Sequence, residues 1–165
     1  MVKAGEVQTR QWDGTLEAPS WWGWLAFVLS LLGFGEGLYL TIDHFTGTLP
    51  VCSASGLVNC AKVTTSAQSE IFGIPVALLG LLFYTGMLVV NVPPLWRVPS
   101  LIVVRLRLAM TVVGIGTVIW LLSAELFIIK AICLWCTGIH IVTFCLFVLV
   151  VSTYPVMAGR ATLEE

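Results

Sequence analysis

Four apolar runs decide what this chain can fold into: Trp21–Leu40, Ile71–Val92, Leu108–Ile129 and Cys133–Tyr154. Each is roughly 20 residues, the length at which an α-helix crosses the roughly 30 Å of bilayer hydrocarbon. In that solvent every backbone N–H and C=O needs a partner within the protein, so such a run folds as a helix. Of the 165 residues, 58% are hydrophobic and 10% charged, against about 25% charged in a soluble domain. The expectation is an all-α integral membrane protein. It is a four-transmembrane-helix bundle over residues 21–155, with both tails on one side. A net charge of −1 gives no reason to expect nucleic acid as a partner.

The segments between the runs set the topology. Residues 1–20 are polar, mixed in charge and end in Pro19-Ser20, and they read as a tail. Trp21, Trp22 and Trp24 form an aromatic belt where the first span (21–40) begins. A cleaved signal peptide fits less well. The run is long, acids precede it, and no A-x-A site closes it. Residues 41–70 form a loop too long to be structureless. The second span (71–92) carries Pro75 in its first turns, where a missing N–H costs least. A proline-rich turn follows from Pro93 to Pro99. Arg105 and Arg107 are expected to snorkel at the start of the third span (108–129), and Lys130 marks the turn before the fourth (133–154). Residues 156–165 make a second tail. Lys3, Arg10, Arg97, Arg105, Arg107 and Arg160 fall on the tail side, against Lys62 and Lys130 on the other. By the positive-inside rule the protein is a multi-pass cell-membrane protein with cytoplasmic tails. The redox loop between helices 1 and 2 and the start of the last helix then share the outer face.

On that face lie two cysteine pairs, Cys52 with Cys60 in the loop and Cys133 with Cys136 in a C-x-x-C. Residues three apart share one helix face, and a cysteine opening a helix sits at the positive end of its dipole, which favours the nucleophilic thiolate. Two pairs, one in a loop and one on a helix end, suggest a relay. A soluble thiol protein would exchange at Cys52, Cys60 would reach the helix pair, and the helix pair would pass two electrons to a lipid-soluble acceptor. A quinone accepts two electrons and two protons and fits. A static loop disulfide is the plainer alternative. A zinc site fits worse, because no further His or Cys completes a tetrahedral set at ordinary spacing.

Cys52-x7-Cys60, a Ser a few residues on, Ile71-Phe72-Gly73 opening a span and Cys133-x-x-Cys136 opening the last resemble the vitamin K epoxide reductase family. The resemblance implies a four-helix bundle around a quinone, menaquinone or ubiquinone, with no metal. It makes Cys52 and Cys60 the shuttle pair, Cys133 the cysteine that exchanges with the loop, and Cys136 the one against the quinone ring. Ser66 matches the family's Ser after the loop pair, and Phe72 an aromatic near the quinone; together with Ser69 and His140 these are the expected quinone contacts. Where animal members carry an Asn, this chain has Ser69, and where they carry a Tyr it has His140. Those departures disfavour epoxide chemistry and leave thiol–quinone exchange intact.

His140 lies one turn beyond Cys136 on the same face, placed to donate to a quinone carbonyl or pass a proton. Glu36 and Glu125 lie near the outer ends of spans, where a carboxylate either functions or reaches interfacial water. Cys145 is mid-span without a visible partner and reads as a small core residue. The activity expected is a quinone-dependent thiol oxidoreductase supporting disulfide bond formation, with a separate secreted or periplasmic thioredoxin-fold oxidase as its partner. The alternatives are an animal-type naphthoquinone or epoxide reductase, and a non-catalytic membrane scaffold with a structural loop disulfide. Another four-span quinone-linked oxidase family carries its C-x-x-C in the first outer loop, unlike this chain.

Overall fold

The computed structural model describes residues 19–52 and 56–163, so the expected tail over residues 1–20 lies almost wholly outside the described residues. The described chain is mostly helical, with three helices long and apolar enough to cross a membrane. These are α1 (Ser20–Thr46), α4 (Leu101–Ser123), which runs on as a π-helical turn over Ala124–Ile129, and α5 (Leu134–Leu163). Between α1 and α4 stand the short α2 (Cys60–Thr64), a two-stranded hairpin of β1 (Glu70–Ile71) and β2 (Ile74–Pro75), and α3 (Val76–Val90). The helices close a ring in which α1 meets α3, α3 meets α4, α4 meets α5 and α5 meets α1.

Two side-chain bonds tie α3 into that ring. Tyr84 Oη pairs with Thr143 Oγ1 at 2.8 Å and donates to the Ile139 carbonyl at 3.2 Å, joining α3 to α5. Asn91 Nδ2 donates to Ser30 Oγ at 3.1 Å, joining the end of α3 to α1. The Tyr84 ring fits only because position 33 is glycine, since a Cβ there would overlap the ring. The core continues from Tyr84 through Met87, Leu146 and Met157.

Several boundaries differ from the sequence reading. Helix α1 continues to Thr46 and stops at Gly47 in the left-handed region (φ 68°), so the loop begins later than residue 41. The stretch opening at Ile71 is a hairpin, and α3 has 15 residues, about 22 Å at 1.5 Å per residue. Helix α4 starts at Leu101, and Arg107 does not snorkel. It is buried, with its Nε on the Val90 carbonyl at 2.9 Å and its guanidinium 4.3 Å from the centre of the Trp96 ring. The C-terminal carbonyls of α3 need donors, and a planar cation that can also stack supplies one. Helix α5 passes through Pro155 to Leu163, because Met157 and Ala161 are buried beyond the proline. The helix neighbours hold a turn that loses one N–H.

Candidate functional site

The site begins with a backbone clamp between the loop and the start of α5. The Ile132 N–H donates to the Leu57 carbonyl at 2.8 Å, and the Asn59 N–H donates to the Ile132 carbonyl at 3.0 Å. Val58 and Ile132 thereby form a parallel bridge. In a parallel pair both chains run on in the same direction, so the residues that follow, Cys60 and Cys133, are delivered together. Both are buried in one cluster with Val63, Ile129 and Ala131, and Cys52, Trp135 and Cys136 pack against it. All four predicted cysteines therefore meet at one place. Cys52 and Cys60 form a disulfide with their Cα atoms 6.2 Å apart, while Cys133 and Cys136 are free thiols.

Local signals explain how each cysteine is held. Asn59 caps α2, its side-chain oxygen accepting from the Lys62 N–H at 2.9 Å, so Cys60 opens that helix. Cys133 stands just ahead of α5 and its carbonyl accepts the Thr137 N–H at 2.9 Å. Its Sγ accepts the Cys136 N–H at 3.3 Å, as a capping side chain does. The Cys133 thiol is held below its ordinary range, first by the Cys136 thiol donating to its sulfur, then by the Cys136 and Trp135 amides. Burial and the Glu125 carboxylate work against this without cancelling it.

Cys52 is positioned by two aromatics to which the sequence reading gave no role. The Val51 N–H donates to Tyr39 Oη at 3.2 Å, and Trp135 Nε1 donates to the Val51 carbonyl at 3.2 Å. The two rings lie 4.6 Å apart. One signal existed in the sequence, since Trp135 lies inside the C-x-x-C itself, but nothing local connects it to Val51.

Beside the cysteine cluster a cavity of about 890 Å³ opens between the ends of α1, α3, α4 and α5 and the loop. Among the four cysteines only Cys136 lines it. Most of the wall is apolar, from Leu79, Phe83, Val118 and Leu121, with Glu125, His140, Ser66 and Ser69 adding polar atoms. Among the described residues, His140 is buried with no partner at Nδ1, and Glu125 is buried with Oε2 unpartnered. At the rim His44 Nε2 lies 3.9 Å from Glu70 Oε1.

Of the residues expected to contact a quinone, three line this cavity and one does not. His140 presents a free nitrogen. The Ser66 hydroxyl donates to the Val63 carbonyl and the Ser69 hydroxyl to the Ser66 carbonyl, each at 2.7 Å, which leaves their oxygens only as acceptors. Phe72 lies away from the cavity. It occupies the hairpin turn with φ 51° and is fully exposed, because a two-residue connection between β1 and β2 turns that side chain outward.

Fold and site together define a helical membrane-type protein with a disulfide and a dithiol packed in one cluster, one sulfur facing a large apolar cavity. Residues 24–151 match the sequence profile of the vitamin K epoxide reductase family, and the chain belongs to that family. The family carries, in general, quinone-linked thiol oxidoreduction. No curated protein matches the chain.

Proposed function

We propose that the protein passes electrons from a reduced thioredoxin-fold protein, through Cys52/Cys60 and then Cys133/Cys136, to a membrane quinone, supporting disulfide formation. The observation that carries this reading is the parallel bridge at Val58 and Ile132, which puts Cys60 and Cys133 in one buried cluster while Cys136 alone lines the cavity. A static loop disulfide would have no need of a second pair packed against it.

The relay is a series of thiolate attacks. A thiolate of the partner attacks Cys52, and Cys60 leaves; the partner's second thiolate then attacks its own sulfur in that mixed disulfide, which expels Cys52 as a thiolate and leaves the partner oxidised. Cys60 then attacks Cys133 of the helix disulfide, and Cys136 is released toward the cavity. Attack of Cys52 on Cys60 frees Cys133 and restores the loop disulfide. The arrangement found, with the loop oxidised and the helix pair reduced, corresponds to the state at the end of this series. A bound quinone supplies the acceptor for two electrons and two protons. The cavity suits it, being about 890 Å³ and largely apolar, with unpartnered polar atoms at His140 and Glu125. His140 is read as a donor to a carbonyl oxygen, one turn from Cys136.

Helix α3 is read as the fourth crossing, with the hairpin and the Pro93–Trp96 turn extending its 15 residues. The excess of Lys and Arg on the tail side supports cytoplasmic tails and an outward-facing cysteine cluster. The test is Cys136→Ala. It should abolish quinone reduction, and combined with Cys52→Ala, which closes the forward exit, it should accumulate a Cys60–Cys133 disulfide, detected by peptide mapping without reductant. Recovery of Cys60 and Cys133 only as free thiols would favour a static loop bridge.

A further inference from the structure

One buried acid is left over by this relay. Glu125 sits in the π-helical turn Ala124–Ile129, where the Ala131 N–H closes back on the Glu125 carbonyl at 3.1 Å. Such a turn widens the helix by a residue and recurs at functional sites. Lys130, which ends it in the left-handed conformation (φ 55°), sends the chain back toward the cysteines. Three residues later Cys133 packs in one buried cluster with Ile129, the last residue of that turn. Glu125 is 3% exposed, its Oε2 has no partner among the described residues, and it lines the same cavity as Cys136. An acid in the outer part of a membrane-spanning helix that serves only to be solvated reaches water, and this one is turned inward.

We infer that Glu125 is the proton carrier of the Cys133–Cys136 pair, taking the proton that the dithiol gives up and releasing it into the cavity. The inference rests on the quinone-linked reading above. Oxidation of the dithiol breaks two S–H bonds and forms one S–S bond. Two electrons go to the quinone, and one proton reaches it through Glu125, from the Cys133 sulfur to the carboxylate and then to a quinone oxygen. The second proton goes by way of His140 on the neighbouring wall. The other charged or titratable groups lining this space are Asp43 and His44 from α1, Glu70 from the hairpin and Tyr84 from α3. Of the acids lining it, Glu125 is the buried one.

The test uses the full-length protein in detergent. First, without quinone, site-resolved alkylation of reduced protein across pH gives the midpoint at which Cys133 becomes a thiolate. Glu125→Gln removes a like charge beside that sulfur, so the midpoint should fall by about one pH unit. Second, Glu125→Gln should slow the quinone half-reaction by roughly 10²-fold, the lower end for a lost acid–base group. Exchange at Cys52 should stay unchanged. Third, Glu125→Ala should respond to added formate, a small acid that can occupy the vacated space, with recovery of the quinone half-reaction. An unchanged Cys133 midpoint in Glu125→Gln, or no response of Glu125→Ala to formate, overturns the inference. Should the midpoint shift while the wild-type protein reduces no quinone, the quinone-linked reading falls and the proton pairing stands.

Discussion

The aromatic clamp on Val51 makes a quantitative forecast about how the loop opens. Trp135 and Tyr39 hold both backbone groups of Val51, the residue before Cys52, while the Val51 side chain is 83% exposed. Little apolar burial fixes Val51 itself, and apart from the Cys52–Cys60 bridge beside it, its docking depends on those two hydrogen bonds and the ring contact. Trp135→Phe keeps a ring against Tyr39 and removes the bond to the Val51 carbonyl, a loss of about 1 kcal/mol. Trp135→Ala removes the ring contact as well, for a total of about 2 kcal/mol. The undocked fraction should rise by roughly 5-fold in the first and roughly 30-fold in the second. Hydrogen exchange resolved by mass spectrometry reads this directly in peptides covering Val51 and Cys52. Residues 57–60 provide the internal control, because a separate pair of backbone bonds ties them to Ile132. Reduction of the loop disulfide by a small soluble dithiol should accelerate in the same order. Equal loss of protection in both segments would show that Trp135 supports the whole cysteine cluster, and unchanged exchange in Trp135→Ala would refute the clamp.

Two further outcomes follow from the site and the core. His140→Ala should slow the quinone half-reaction by roughly 10²-fold and leave exchange at Cys52 near wild type, while His140→Tyr recovers part of the rate, since a phenol also donates. Stopped-flow measurement of the two half-reactions decides it, and equal slowing of both would reduce His140 to a packing role. Gly33→Ala should destabilise the bundle by about 1–3 kcal/mol, the usual cost of forcing a methyl into a filled space, because it displaces the Tyr84 ring from its bonds to α5. A denaturation midpoint in detergent equal to wild type would contradict the packing of α1 on α3.

What the sequence made legible was what repeats over long stretches or stands at fixed spacing. Apolar runs declare helices through composition alone, and C-x-x-C places two sulfurs on one face through helix geometry. The bond that brings the pairs together is different in kind. Leu57, Asn59 and Ile132 contribute only main-chain groups to it, and main-chain pairing across more than seventy residues leaves no side-chain signature. Phe72 illustrates the opposite failure. Its place in Ile71-Phe72-Gly73 pointed to the quinone by resemblance, but the chain reverses there in a tight hairpin, and a residue at the tip of a turn faces outward. Arg107 was misplaced because snorkelling assumes that a cation seeks water. A guanidinium can equally be satisfied by a helix-end carbonyl and an aromatic face within the bundle.

The placement of Cys133 also gives the proposed relay a direction. A Cys60–Cys133 mixed disulfide has two exits. Cys136 can attack Cys133 and expel Cys60, which runs backward, or Cys52 can attack Cys60 and expel Cys133, which runs forward. The sulfur with the lower pKa leaves faster. Cys133 stands at the start of α5 with the Cys136 N–H on its sulfur at 3.3 Å, and the Cys136 thiol and the Trp135 amide stabilise its anion further. Cys60 also opens a helix, but α2 has five residues and offers a much smaller dipole than the 30-residue α5. Expulsion of Cys133 is therefore the favoured exit, and electrons that enter the loop are drawn toward the helix pair. The same stabilisation favours the thiolate form of Cys133 next to Cys136, the one sulfur of the four that faces the cavity. A single local device, a cysteine capping the last helix, thus makes Cys133 a good leaving group toward the loop and a ready nucleophile toward Cys136.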